Sequence, residues 1–141
     1  MYYVTYSEGF RPGLLNRPVG SGSDAYRVPA TIDSDTVDNY EFGWKTVKMD
    51  GRLRFNGSVF FVEVAGLQST IFDPSIVNLF FSDNAADATI KGVEGDFTYY
   101  TMKEGLSVAG AFSMLETEIT DALVPTNDVT VGSDLAFAPI W

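Results

Sequence analysis

The chain has 141 residues, enough for one domain with a core; 45% hydrophobic residues and a mean hydropathy of +0.04 exclude a disordered chain and a bundle of membrane helices. A net charge of −10, from 19 acidic and 9 basic residues with no basic cluster, excludes nucleic acid as a partner. Cys and His are both absent, which excludes disulfides, thiolate and imidazole metal sites, and catalysis by either side chain.

Six strand-like segments follow in chain order. The first, residues 2–8, sets Tyr2, Val4 and Tyr6 against Thr5 and Ser7. The second, 37–49, sets Tyr40, Phe42, Trp44 and Thr46 against Asn39, Glu41, Gly43 and Lys45. The third, 53–68, sets Leu53, Phe55, Gly57, Val59 and Phe61 against Arg54, Asn56 and Ser58. From Phe60 its second face also turns apolar, through Val62 and Val64, which predicts a bulge or a change of surroundings.

In the fourth, 87–102, Val93, Gly95, Phe97 and Tyr99 oppose Glu94, Asp96 and Thr98. The fifth, 106–119, carries Leu106, Val108, Gly110 and Phe112 on one face. The sixth, 135–141, contains Pro139, which suits the start of an edge strand. Period-two alternation makes the chain all-β, an antiparallel up-and-down meander of about six strands.

The connections alternate in length. MDGR and KEG are tight turns with Gly where positive φ is tolerated. Residues 9–36, 69–86 and 120–134 form long loops rich in Gly, Pro, Ser, Asn and Asp. An up-and-down sheet then gathers the tight turns at one end and the long loops at the other.

Three environments fit an apolar face of this kind: a sandwich core, the inside of a soluble ligand-binding barrel, and the lipid around an outer-membrane barrel. Charges in mid-strand suit a hydrated lumen, although a wet outer surface accepts them equally. Aromatic residues near segment ends (Tyr2, Tyr3, Tyr6, Phe10, Tyr99, Tyr100) suit an interfacial girdle. Gly57, Gly95 and Gly110 leave gaps in the apolar face that lipid would fill more readily than a packed core.

Other clusters read blandly. Asp33, Asp35 and Asp38 lack the Gly and terminal Glu of a calcium loop and read as a solvated loop entering a strand. Glu94 and Asp96, two apart on one face, read as polar wall beside Lys45 or Arg54, and Glu116 and Glu118 are similar. Lys48 and Lys103 read as turn-flanking charges. Gly20 to Ser23 (GSGS) opens no helix and is no phosphate cradle. No catalytic, cofactor-binding or metal-ligating residue is assigned, no cofactor is expected, and the chain reads as no enzyme. No export signal opens it.

The stretches YVTYSEGFRPG, VDNYEFGWKTVKMDGRLRFNGSVFFVEVAGLQ, ATIKGVEGDFTYYTMKEGLSVAGAFSMLETEI and LAFAPIW resemble consecutive parts of the barrel of TonB-dependent outer-membrane receptors, from Tyr3 to Trp141. That resemblance implies a segment of a transmembrane β-barrel from the C-terminal half, without plug or TonB box. It implies uptake of a scarce ligand such as a ferric siderophore, cobalamin or an oligosaccharide, in the bacterial outer membrane. Implied partners are outer-membrane lipid, the remaining barrel and plug, and the TonB complex through the parent protein. Glu41, Lys45, Arg54, Glu94 and Asp96 are then expected to face the lumen. Tyr40, Phe42, Trp44, Phe55, Phe61, Phe97, Tyr99 and Phe112 are expected to face lipid or form its girdle. Six strands leave two open edges, so the isolated fragment is expected to self-associate. The other reading is a free-standing soluble all-β binding or scaffold protein without transport activity.

Overall fold

The computed structural model describes residues 1–16, 26–126 and 129–135. Among them are seven strands: β1 (Tyr2–Arg11), β2 (Leu14–Leu15), β3 (Thr31–Ile32), β4 (Asp35–Lys48), β5 (Leu53–Ile71), β6 (Phe81–Tyr100) and β7 (Ser107–Ala122). Five form one antiparallel sheet in the order β1-β4-β5-β6-β7, and β2 pairs with β3 in a small ribbon. Each strand of the large sheet lies beside its neighbour in the chain once that ribbon is set aside, which is the up-and-down meander expected. The sheet is open.

Alternation builds these strands, and tight turns set their register. β4 and β5 meet at Lys48↔Leu53 through a turn in which Met49, Asp50 and Gly51 have φ of 56°, 55° and 88°. Only Gly adopts that region without steric cost, so Met49 and Asp50 are held there by the hairpin. The Arg52 N–H donates to the Met49 carbonyl at 3.1 Å and closes the turn. Gly105, at φ 78°, serves the β6–β7 turn in the same way.

The loops are shorter than the sequence suggests. β5 and β6 continue pairing as far as Ile71↔Phe81, which leaves 72–80 of the loop expected over 69–86. β1 and β4 pair up to Arg11↔Asp35, and the β2–β3 ribbon occupies part of the loop expected over 9–36. β7 runs on to Ala122. The cause is a set of register shifts, at Val64/Leu67 and Leu67/Gln68 against β6 and at Asp87/Ala88 against β7. They interrupt the sequence period without ending the ladder. Gly66 sits at the first of them with φ 64°. The bulge expected beyond Phe60 therefore lies at Gly66. The strand expected over 135–141 lies outside the described residues except for Leu135. Just before it the chain returns along β7: the Ile119 N–H donates to the Ser133 carbonyl at 2.9 Å and the Gly132 N–H to the Ile119 carbonyl at 2.8 Å.

The hydrophobic core sits at the long-loop end. Ile71, Ile76, Phe81, Ala85 and Val124 are buried together, with Tyr26, Val28, Val77 and Val129 packed around them. Over the tight-turn half, large apolar side chains stand open instead: Val4 is 80% exposed, Tyr2 71% and Met114 62%.

Candidate functional site

The register sorts the sheet into two faces. Directly opposed residues share a face, so Tyr2↔Trp44↔Gly57↔Gly95↔Phe112 form one row. Val4↔Phe42↔Val59↔Val93↔Met114 form the next. The apolar rows run from Leu53↔Tyr99 near the turns to Tyr40↔Phe61. Tyr40, Phe42, Trp44, Phe55, Phe61, Phe97, Tyr99 and Phe112 all lie on this face. At ~3.3 Å per residue, Leu53 to Phe61 spans roughly 27 Å along the strand, or roughly 20 Å in height at a tilt of ~40°.

Polarity changes sharply past that band. Lys91 pairs in register with both Phe61 and Glu116, and its ammonium meets the Glu116 carboxylate at 2.9 Å. One row further, Glu8↔Asp38↔Glu63↔Thr89↔Glu118 crosses the whole sheet on the same face. The Tyr6 and Tyr40 rings meet on the boundary, tilted by 40° with centroids 5.2 Å apart, and the Tyr6 hydroxyl donates to Asp38 Oδ1 at 2.7 Å.

Glu41, Lys45, Arg54, Glu94 and Asp96 lie together on the opposite face, through the rows Lys45↔Asn56↔Asp96 and Gly43↔Ser58↔Glu94. A hollow of about 740 Å³ lies over it, lined in part by Tyr3, Lys45, Asn56, Ser58, Glu94 and Asp96. The acidic groups bond to neutral neighbours rather than to Lys45 or Arg54: Asn56 Nδ2 donates to Asp96 Oδ2 at 3.1 Å and Ser58 Oγ to Glu94 Oε1 at 3.3 Å. Lys45 Nζ lies 6.0 Å from the centroid of the Tyr3 ring. Tyr3 itself is on this polar face, not in the girdle expected from its position, and its hydroxyl donates to Glu41 Oε1 at 2.7 Å.

The glycines correct another expectation. Gly57, Gly95 and Gly110 are not gaps, because aromatic rings of the opposed strand lie over them. A Cβ on Gly57 would collide with Trp44, one on Gly95 would stand 2.8 Å from Phe112, and one on Gly110 would stand 2.8 Å from Phe97. On the polar face Tyr3 covers Gly43 and Phe60 covers Gly92 in the same manner. Directly opposed positions are close enough for a ring to fold across a residue that has no side chain.

The long-loop end holds polar contacts that periodicity did not reveal. Asp35 is only 1% exposed. It accepts from Arg11 Nε at 2.8 Å, from Arg11 Nη2, and from the Gln68 N–H at 3.2 Å, so one carboxylate joins β1, β4 and β5. The Arg11 guanidinium holds its carboxyl below the usual carboxylate range. Gln68 Nε2 donates to the carbonyls of Pro12 (3.0 Å) and Asp33 (2.9 Å). Asn84 Nδ2 donates to the carbonyls of Asp33 (3.0 Å) and Gly66 (2.6 Å). These amides pin the first long loop to the β5–β6 hairpin. Asp35 is thus a structural ion pair and not part of a solvated loop. An Arg 24 places before the second of three aspartates did not signal that pairing. Asp83, also buried, has its carboxyl pushed up by desolvation. Among the described residues, no three His, Cys, Asp or Glu side chains are placed to hold a metal ion.

Set against known proteins, the chain matches no curated protein and no solved structure. It does match the family described as TonB dependent receptor-like, beta-barrel, over residues 1–141. A match over the whole length accords with the antiparallel meander and its two faces. The chain therefore belongs to the TonB-dependent receptor-like β-barrel family, a family of outer-membrane receptors and transporters.

Proposed function

We propose that this chain is a piece of barrel wall whose apolar face meets outer-membrane lipid and whose polar face lines the lumen, in a receptor that imports a scarce ligand such as a ferric siderophore. The observation that carries this reading is the band from Leu53↔Tyr99 to Tyr40↔Phe61, open to solvent on one face and bounded by the Glu8–Glu118 row. Its height is close to the ~25 Å apolar belt of outer-membrane barrels. In this reading Glu41, Lys45, Arg54, Glu94 and Asp96 hydrate the ligand path. The tight turns at Met49–Arg52 lie on the periplasmic side, and the pinned loops face the medium. The remaining barrel and the plug complete the lumen, and the TonB complex supplies the energy for import.

A free-standing soluble scaffold, the other reading of the sequence, would hold Val4, Phe42 and Met114 open to water, an arrangement monomeric soluble proteins avoid on this scale. Among the described residues, the outer edge of β1 and that of β7 apart from Ile119 are unpaired and also need partners. The isolated 141-residue chain therefore self-associates or aggregates in detergent-free buffer.

Fractionation of cells producing the full-length polypeptide tests the location. Recovery in detergent-extracted outer membrane with heat-modifiable gel mobility is expected; recovery as a soluble monomer contradicts the reading. Uptake of a radiolabelled ferric siderophore that stops when TonB is deleted tests the ligand. Unchanged uptake in cells lacking the receptor removes the siderophore while leaving the barrel intact.

A further inference from the structure

We propose that the outer edge of the apolar band selectively holds a lipid with a phosphoethanolamine head, chosen by the order of its charges. The proposal rests on the lipid-facing reading of that band and adds to it a preference for one head chemistry.

The tail has a groove. Val4 and Val59 flank Phe42 in one row, and Tyr6, Tyr40 and Phe61 form the next row outward. The short valines among these rings leave a groove of about 350 Å³, lined in part by Val4, Tyr6, Tyr40, Phe42, Val59 and Phe61. All six are open to the surroundings on this face, and an acyl chain laid there covers apolar surface.

The head meets charges in a fixed order. The row at the mouth of the groove continues from Phe61 to Lys91 and Glu116. That ion pair is neutral as a whole, and the half-exposed Lys91 keeps N–H donors beyond the one Glu116 accepts. Two places on, ~7 Å along the strands at ~3.3 Å per residue, stand Glu8, Asp38, Glu63 and Glu118, with Thr89 and no basic residue in the row. A second hollow of about 230 Å³ opens there, lined in part by Asp38, Glu63, Asp87 and Thr89. Going outward, the wall is therefore apolar, then neutral with N–H donors, then acidic. A phosphoethanolamine lipid runs from acyl chain to phosphate to ammonium, which is the complementary order.

Part of the acidic wall is set before a lipid arrives. The Tyr6 hydroxyl holds Asp38 Oδ1, and the Gly66 N–H donates to Asp87 Oδ1 at 2.7 Å. Glu63 and Glu118 are exposed and accessible to an ammonium.

Other occupants fit less well. An anionic head would face the carboxylates with like charge. A choline head carries the positive charge but no N–H to donate to a carboxylate or to the Thr89 hydroxyl. A water-soluble polyamine has no chain for the groove. Among the described residues no three carboxylates are placed to hold a metal ion, so the wall does not gather a divalent cation by itself.

The test uses the full-length polypeptide in nanodiscs of equimolar phosphatidylethanolamine, phosphatidylcholine and phosphatidylglycerol with matched chains, checked first for heat-modifiable mobility. Native mass spectrometry then counts which lipids stay bound as the disc is stripped. Phosphatidylethanolamine retained about fivefold over phosphatidylcholine is expected, with phosphatidylglycerol last. The double variant Glu63→Gln/Glu118→Gln should bring the first ratio close to one, while Glu104→Gln, in the β6–β7 turn, leaves it unchanged. All three glutamates are exposed, so these variants retain the fold. A heat-modifiable barrel that retains the first two lipids equally, or whose preference survives the double variant, overturns the proposal. So does phosphatidylglycerol retained above the others once calcium is added, which would show a bridging metal. A chain that fails to enter the disc removes the lipid-facing reading, and this proposal with it.

Discussion

Asp35 shows how much one side chain carries at the outer end of this sheet. It is buried, it faces a guanidinium, and it accepts from strands on both sides of β4. Asp35→Ala leaves Arg11 and the Gln68 amide without their acceptor, and the expected cost is about 2–3 kcal/mol in reversible unfolding of the refolded barrel. The pH dependence follows from the sign of the shift. The Asp35 carboxyl is lower in the folded state, so its stabilisation is present above the ordinary carboxylate pKa and is lost as pH falls through the folded value. Asp83 runs the other way. Its carboxyl is raised by burial, so its contribution is fully present below the ordinary pKa and is lost as pH rises through the folded one. Asp83→Asn should therefore raise stability at pH 7 and flatten the profile just above the usual carboxylate range; a variant less stable at pH 7 contradicts that assignment. Neither role was legible in the sequence. Burial of an Asp depends on a partner brought in by pairing, and period-two alternation says nothing about which loop residue meets which.

At the scale of elements, the Gly–aromatic pairs lock neighbouring strands. Gly57→Ala puts a methyl under Trp44 and Gly95→Ala one under Phe112; each should cost about 1–3 kcal/mol. Gly9→Ala meets nothing within 4 Å and should stay within about 0.5 kcal/mol. Equal effects at the three positions would show that the rings do not lie across the glycines. The turn offers the opposite experiment: Met49→Gly relieves a positive φ and should stabilise by about 0.5–1 kcal/mol. The strands themselves were legible in the alternation from Tyr40 to Trp44, Phe55 to Phe61 and Phe97 to Val93, because a half-buried strand must alternate. The outer extensions of β5 and β6 were not. Gly66 shifts the register, and residues such as Ser82, Asp83 and Asn84 look like loop although they stay in the ladder. The glycines were misread for a related reason, since a gap in one strand is filled by a ring whose register the sequence of that strand does not contain.

At the scale of the molecule, the two faces make a stratified wall. A polar side carries Glu41, Asn56, Ser58, Glu94 and Asp96, an apolar band covers the other side, and an acidic row limits that band toward the long loops. The assignment of residues to faces follows from register, and the family match supplies the kind of protein. Which face meets lipid is the central claim, and arginine substitution at graded depth in the full-length barrel, refolded into phospholipid vesicles and unfolded with guanidinium, tests it most directly. Trp44→Arg, in the middle row of the band, should cost about 2–4 kcal/mol, and Val59→Arg, one row nearer its outer edge, somewhat less. Phe61→Arg, at its edge, should cost about 0–1 kcal/mol, and Asn56→Arg, on the polar face, should stay within about 0.5 kcal/mol. A penalty that is the same on both faces, or larger at Asn56 than at Val59, would contradict a lipid-facing apolar band.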